Sequence, residues 1–106
     1  RDLPPFPTRR FSDLIYLQKE YNLDPEKTFC AGMSNGGDMS YLLGCEVPDI
    51  FRAIAPITGC MMGWIYNSCN KNDPVPVFQV HGTADKTTLY DGDVNNRPGH
   101  LVVDAS

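Results

Sequence analysis

Apolar residues early in the chain recur at three- and four-residue spacing: Phe11, Leu14, Ile15, Leu17 and Tyr21. That spacing predicts an amphipathic helix over 9–21, with Thr8 or Ser12 as its N-cap. Ahead of it, Pro4, Pro5 and Pro7 make residues 1–8 an extended lead-in. Behind it, Asn22-Leu23-Asp24-Pro25-Glu26 forms a turn, because proline forbids continuation of the helix. Thr28 to Ala31 is a short apolar run and reads as a strand. A second helical pattern covers 35–45. Met39, Leu42 and Leu43 are its expected buried stripe, and the small residues Gly36, Gly37 and Ser40 let its first turns lie close to a sheet. Phe51 to Ile57 is almost continuously apolar, as suits a parallel strand covered on both faces. Cys60 to Pro74 is a loop with one or two helical turns around 61–66. Val75 to Val80 is a third buried strand, which runs into His81-Gly82-Thr83-Ala84-Asp85. The stretch from Asp91 to Gly99 is turn-rich. Leu101-Val102-Val103 forms a last apolar cluster, a strand or a frayed end.

Strands separated by helical or long connections pair in parallel through right-handed crossovers. The expected class is α/β, in a single domain spanning 1–106. In such sheets the chemistry gathers beyond the carboxyl ends of the strands. Ser34 follows the first strand, Thr58-Gly59 the second and Asp85 the third. All three open onto one edge.

Composition narrows the function. The chain has 106 residues, 42% hydrophobic and 21% charged, in the range of an ordinary soluble globular domain. A net charge of −4 disfavours nucleic acid or an anionic membrane as partner. No apolar run approaches the roughly 20 residues that cross a bilayer. No signal peptide is visible, and the chain opens on Arg1 without an initiator Met, so it reads as a processed product or an excised piece. Cys30, Cys45, Cys60 and Cys69 lack the C-x-x-C spacing of a zinc site, and no metal or cofactor is expected. Cys60 and Cys69 flank a loop that a disulfide between them would close. Cys30 and Cys45 read as buried free thiols. The balance leans towards a secreted or periplasmic protein.

The stretch with most chemical content is Gly32-Met33-Ser34-Asn35-Gly36-Gly37. It matches G-x-S-x-G between a strand and a helix, the pattern of a nucleophile elbow. A serine there takes a strained backbone conformation that lifts its hydroxyl above the sheet. Gly32 and Gly36, two residues either side, are expected to leave room for the tight strand-to-helix packing. Ser34 then stands at a helix N-terminus, where the N–H of Asn35 is one oxyanion donor. A serine hydroxyl needs a base oriented by a carboxylate. Asp85 is the expected acid, with Asp91 and Asp93 as runners-up. Only His81 and His100 are available as the base. His81, four residues before Asp85 at a strand end, reads as structural. His100 follows the acid, in Ser…Asp…His order, and a linker of that length spans ~45 Å when extended, so reach does not exclude it.

Several blocks carry a resemblance: Gly32 to Met39, Pro48 to Ile57, Val75 to Asp85 and Tyr90-Asp91-Gly92. Together they resemble the esterase family of polyhydroxybutyrate depolymerases and related feruloyl and acetyl xylan esterases, over about residues 10–92. The resemblance implies a partial α/β-hydrolase, a three-layer α/β/α slab around a short parallel sheet. It implies hydrolysis of small-molecule or polymer carboxylic esters through an acyl-enzyme, with Ser34 as nucleophile, Asp85 as acid and Asn35 at the oxyanion hole. Many members are secreted.

The family's domain is more than twice this length. Its earlier strands, with the loop that gives the second oxyanion donor, would precede Arg1. The family's histidine comes well after the acid in a glycine-rich context, and residues 93–106 do not look like that region. Two alternatives therefore stand beside an active esterase. One is a non-catalytic remnant or self-associating module, dimerising or swapping segments through exposed sheet edges. The other is a serine peptidase on the same fold.

Overall fold

The computed structural model describes residues 8–69 and 72–92. The proline-rich lead-in, Asp93, the run to Gly99, His100 and the 101–103 cluster lie outside the described residues, as does the side chain of Phe11. The elements are α1 (Thr8–Glu20), a 3-10 turn (Pro25–Lys27), β1 (Phe29–Met33), α2 (Asn35–Glu46), β2 (Ala53–Ile57) and α3 (Gly63–Ser68). The architecture is a small α/β fold.

β1 and β2 pair in parallel, with Phe29 opposite Ala53 and Met33 opposite Ile57. The expected third strand is present only as an extended segment, 76–80, bridged to β2 at Ile54–Val77 and Ile57–Val80. Its alternating bonds still make it a parallel neighbour: Phe78 N–H donates to Ile54 O at 2.9 Å and Val80 N–H to Pro56 O at 3.1 Å. Pro76, at the start of the pairing, has no N–H and so gives the ladder no donor.

α2 covers one face of this sheet. It buries Gly37, Ser40, Tyr41, Gly44 and Cys45. The expected stripe of Met39, Leu42 and Leu43 is displaced: Met39 is exposed and the two leucines are half-buried. The reason is distance. Small residues at 37, 40 and 44 form the contacting stripe at helical spacing, so the helix backbone approaches too closely for long side chains in that row. A Cβ on Gly44 would already meet Ile54 Cδ1 at 3.0 Å. Ser40, fully buried, satisfies its hydroxyl by donating to Gly36 O at 2.8 Å.

The other face of the sheet is bare among the described residues. Phe29 is 63% exposed, Met33 69% and Phe78 72%, so the expected α/β/α slab has one helical layer rather than two here. α1 leaves Ile15, Tyr16 and Leu17 exposed, as is Tyr21 just after it, and is tied to the sheet's start by Gln18 Nε2 donating to Thr28 Oγ1 at 2.8 Å. Among the described side chains of its stripe, Leu14 is half-buried and Ile15 and Leu17 are exposed.

The cysteine pairing differs from the loop-closing expectation. Cys45 bonds Cys69, with Cα atoms 4.9 Å apart, while Cys60 is free and buried. α3 buries Ile65 and carries Cys69 to the far end of α2, where Cys45 waits. Cys60 stays at the near end of α2, a helix length away. Of the two thiols expected to be free and buried, Cys30 is free but only half-buried, and Cys45 is in the disulfide because α3 brings Cys69 to the end of α2.

Candidate active site

The turn between β1 and α2 is built by backbone contact. Ser34 has φ 56 and ψ −115, a conformation costly for any residue with a side chain. It is held there by Ser34 N–H donating to Ile57 O at 2.8 Å, and Ser34 O accepts Asp38 N–H at 3.0 Å to close the first helical turn. A Cβ on Gly32 would collide with the backbone of Gly36. Gly36 itself faces open space, with nothing within 4 Å of an added Cβ. The close approach therefore requires glycine at 32 and not at 36, a correction to the symmetric expectation. Ser34 is exposed, and its side chain makes no capping bond. Asn35, first residue of α2, has no intrahelical acceptor for its N–H, so a donor stands beside the hydroxyl.

A second tight approach lies next to the first. A Cβ on Gly59 would stand 2.6 Å from Gly37 Cα, and one on Gly37 would stand 2.9 Å from Gly59 Cα. Between Ile57 and Gly59, Thr58 sits at φ 50, a conformation rare for a β-branched residue. From the sequence, Thr58-Gly59 is expected beyond the second strand, on the edge shared with Ser34 and Asp85, but not in contact with Gly37. The signal available was the glycine itself, placed just past an apolar run.

The pairing then carries across the sheet. Thr58 N–H donates to Val80 O at 2.8 Å. Ser34, Thr58 and His81 thus directly follow three neighbouring parallel segments at one edge.

Asp85 lies in the loop beyond His81. One carboxylate oxygen, Oδ1, accepts Thr87 N–H at 2.9 Å and Thr88 N–H at 3.0 Å. Those two backbone donors, Thr88 first, hold its pKa below the ordinary carboxylate value. The second oxygen, Oδ2, stands 3.7 Å from His81 Nε2. The His81 side chain is only 2% exposed. Its Nε2 lies 2.7 Å from the Thr88 carbonyl, an acceptor, so Nε2 carries the proton and donates. Nδ1 is buried without a partner. The ring packs edge-on to Tyr90 at 6.0 Å. His81 therefore closes the acid loop, in line with the structural reading of it. Asp91 is exposed; Asp93 and His100 lie outside the described residues.

Among the described residues, no group of three or more His, Cys, Asp or Glu could hold a metal ion, and no helix is long and apolar enough to cross a membrane.

No family model matches the chain. Individual proteins do. A probable feruloyl esterase C of Aspergillus niger is 37% identical over 86 residues, 79% of this chain and 31% of that protein. A bifunctional acetylxylan esterase/xylanase of Neocallimastix patriciarum is 32% identical over 74 residues, 70% of this chain and 11% of its own length. Feruloyl esterase B of Piromyces equi is 33% identical over 72 residues, 66% of this chain and 13% of its own. The chain thus has feruloyl and acetylxylan esterase homologues, and it spans less than a third of their length. The polyhydroxybutyrate part of the resemblance rests on the sequence blocks alone.

Proposed function

We propose that this chain is the nucleophile-bearing portion of a serine carboxylic-ester hydrolase of α/β-hydrolase fold, cleaving feruloyl or acetyl esters of plant cell-wall polysaccharide. The observation that carries the reading is Ser34: exposed, at φ 56, between a parallel strand and the N-terminus of a helix. In the proposed reaction Ser34 Oγ attacks the ester carbonyl and loses its proton to a base. The oxyanion forms beside Asn35 N–H, at the positive end of the α2 dipole. The collapsing intermediate returns the proton to the leaving alcohol, and water then hydrolyses the acyl-enzyme. Asp85 holds the base in orientation: Oδ1 is fixed by its two backbone donors, leaving Oδ2 to accept an imidazole N–H. His100 is the proposed base; His81 is committed to Thr88. The names of the relatives support the ester class, and they support feruloyl and acetyl groups over polyester. The Cys45–Cys69 disulfide supports an oxidising compartment and hence secretion.

Hydrolysis of methyl ferulate and p-nitrophenyl acetate by the purified chain tests this. Ser34→Ala should remove turnover. Equal rates in the parent and Ser34→Ala would sink the reading. They would favour the second one, a non-catalytic module that self-associates through its bare sheet face, around Phe29, Met33 and Phe78. A concentration-dependent dimer by sedimentation is the outcome that second reading requires.

A further inference from the structure

α2 opens with two glycines and then an acid whose side chain leaves its own helix. Asp38 Oδ1 reaches across to accept the N–H of Cys60 at 2.7 Å, a residue 22 positions further on. Cys60 is 1% exposed. Burial first, and the Asp38 carboxylate second, push its thiol up to about 12. One carboxylate thus holds the Cys60 backbone and raises the cost of ionising its thiol. Between them, Gly59 lies against Gly37, and an added Cβ there would stand 2.7 Å from Asp38 N. Two residues before Gly59, Ile57 O takes the N–H of Ser34 at 2.8 Å. A closed ring results, running Ser34–Asp38–Cys60–Gly59–Thr58–Ile57 and back to Ser34. Thr58, at φ 50, is held inside it. Strained residues persist only where their surroundings fix them, and Asp38 is the one charged group in the ring.

The geometry points to Asp38 as a positioning residue for Ser34: it clamps the loop after β2 across the start of α2 and so holds the elbow backbone in its attacking form. The catalytic half of this inference rests on the serine-hydrolase reading; the clamp does not. Asparagine at 38 keeps the oxygen that accepts Cys60 N–H. Alanine removes it.

The test uses the whole 106-residue chain, with Cys30→Ala so that Cys60 is the free thiol. Two rates are followed: phosphonylation of Ser34 by a fluorophosphonate, alongside kcat and KM on methyl ferulate, and alkylation of Cys60 by a maleimide. Asp38→Ala should lower kcat and phosphonylation about tenfold or more with KM little changed, since the lost geometry serves the transition state. It should also speed Cys60 alkylation about tenfold or more as the thiol is released. Asp38→Asn should recover most of both. If Asp38→Ala does not fold, Asp38→Glu, which displaces the carboxylate by one methylene, carries the same readouts. Unchanged kcat and phosphonylation overturn the positioning role, and unchanged alkylation overturns the clamp. A parent chain that never reacts with the phosphonate, while Asp38→Ala still frees Cys60, upholds the clamp and removes the hydrolase reading.

Discussion

The loop carrying Asp85 is held by bonds to its own near neighbours, Thr87 and Thr88, and by His81 reaching seven residues to Thr88. The turn carrying Ser34 is held instead by Ile57, and the start of its helix by Cys60 and Gly59, more than twenty residues away. The difference teaches where each can fail. A local loop keeps its form as long as its own sequence is intact. The elbow keeps its form only while the β1–β2 register and the approach of two backbones survive.

Activity gives the widest separation. Asp85→Asn should lower kcat by about four orders of magnitude if Asp85 orients the base, and leave the elbow's contacts in place. A drop of less than about tenfold in kcat on methyl ferulate would remove Asp85 from the proposed triad.

Glycine substitutions probe the same contrast through stability. Gly59→Ala drives a Cβ to 2.6 Å from Gly37 Cα, backbone against backbone with nothing able to swing away. Overpacking of this kind should cost about 3 kcal/mol or more. Gly82→Ala, in the acid loop, meets nothing within 4 Å and should shift stability by about 0.5 kcal/mol or less. Urea denaturation of the two variants checks the pair; equal midpoints would break the comparison.

The Cys45–Cys69 bond anchors the far end of α2 and closes a separation of 24 residues. Its removal by Cys45→Ser with Cys69→Ser should cost about 3 kcal/mol, lowering the denaturation midpoint without altering fluorophosphonate reactivity in the remaining folded fraction.

The smallest effect is in pH. Cys60 and Tyr41 are both raised to about 12, chiefly by burial, while an unfolded thiol ionises near 8.5 and an unfolded phenol near 10. Their contribution is therefore fully present below about pH 8.5 and lost as pH rises towards 12. Asp85 has the opposite sign. Its depressed pKa contributes above the ordinary carboxylate value, about 4, and is lost as pH falls through the lower folded value. Thermal melts across pH should show the elbow side weakening in alkali and the acid loop weakening only in strong acid. A flat profile from pH 8 to 11, about the range in which unfolded thiols and phenols ionise, would remove the alkaline half.

Much of the fold was legible in local pattern. The strand before Ser34, the helix after it, the turn at Asp24-Pro25 and the apolar run at 51–57, whose strand is Ala53–Ile57, follow from spacing and from proline, because each depends on residues close in sequence. The Asp24 side chain accepting Glu26 N–H at 2.9 Å is such a feature. Apolar size points to Met39, Leu42 and Leu43 as the buried face of α2, whereas the sheet lies too close for them. The apolar run at 75–80 predicts a buried third strand. Its exposure, with Phe78 at 72%, depends on what covers the sheet and not on the run itself.

By itself, the sequence determined the order of elements, the α/β class, and the serine at a glycine-bounded turn. Motif and resemblance named the ester chemistry that the relatives support. Only the tertiary structure decided that Cys45, and not Cys60, pairs with Cys69. Only it revealed that Gly59 belongs to the elbow as closely as Gly32, and that Asp38 binds the loop after β2. The physical reason is common to all three. Helix and strand periodicity constrain which face a residue takes, but a disulfide, a backbone contact and a bridging carboxylate depend on distances between segments that no periodicity encodes. The Gly32–Gly37 turn supplied the serine; the loop at 57–60, brought beside it by strand pairing, holds that serine in place.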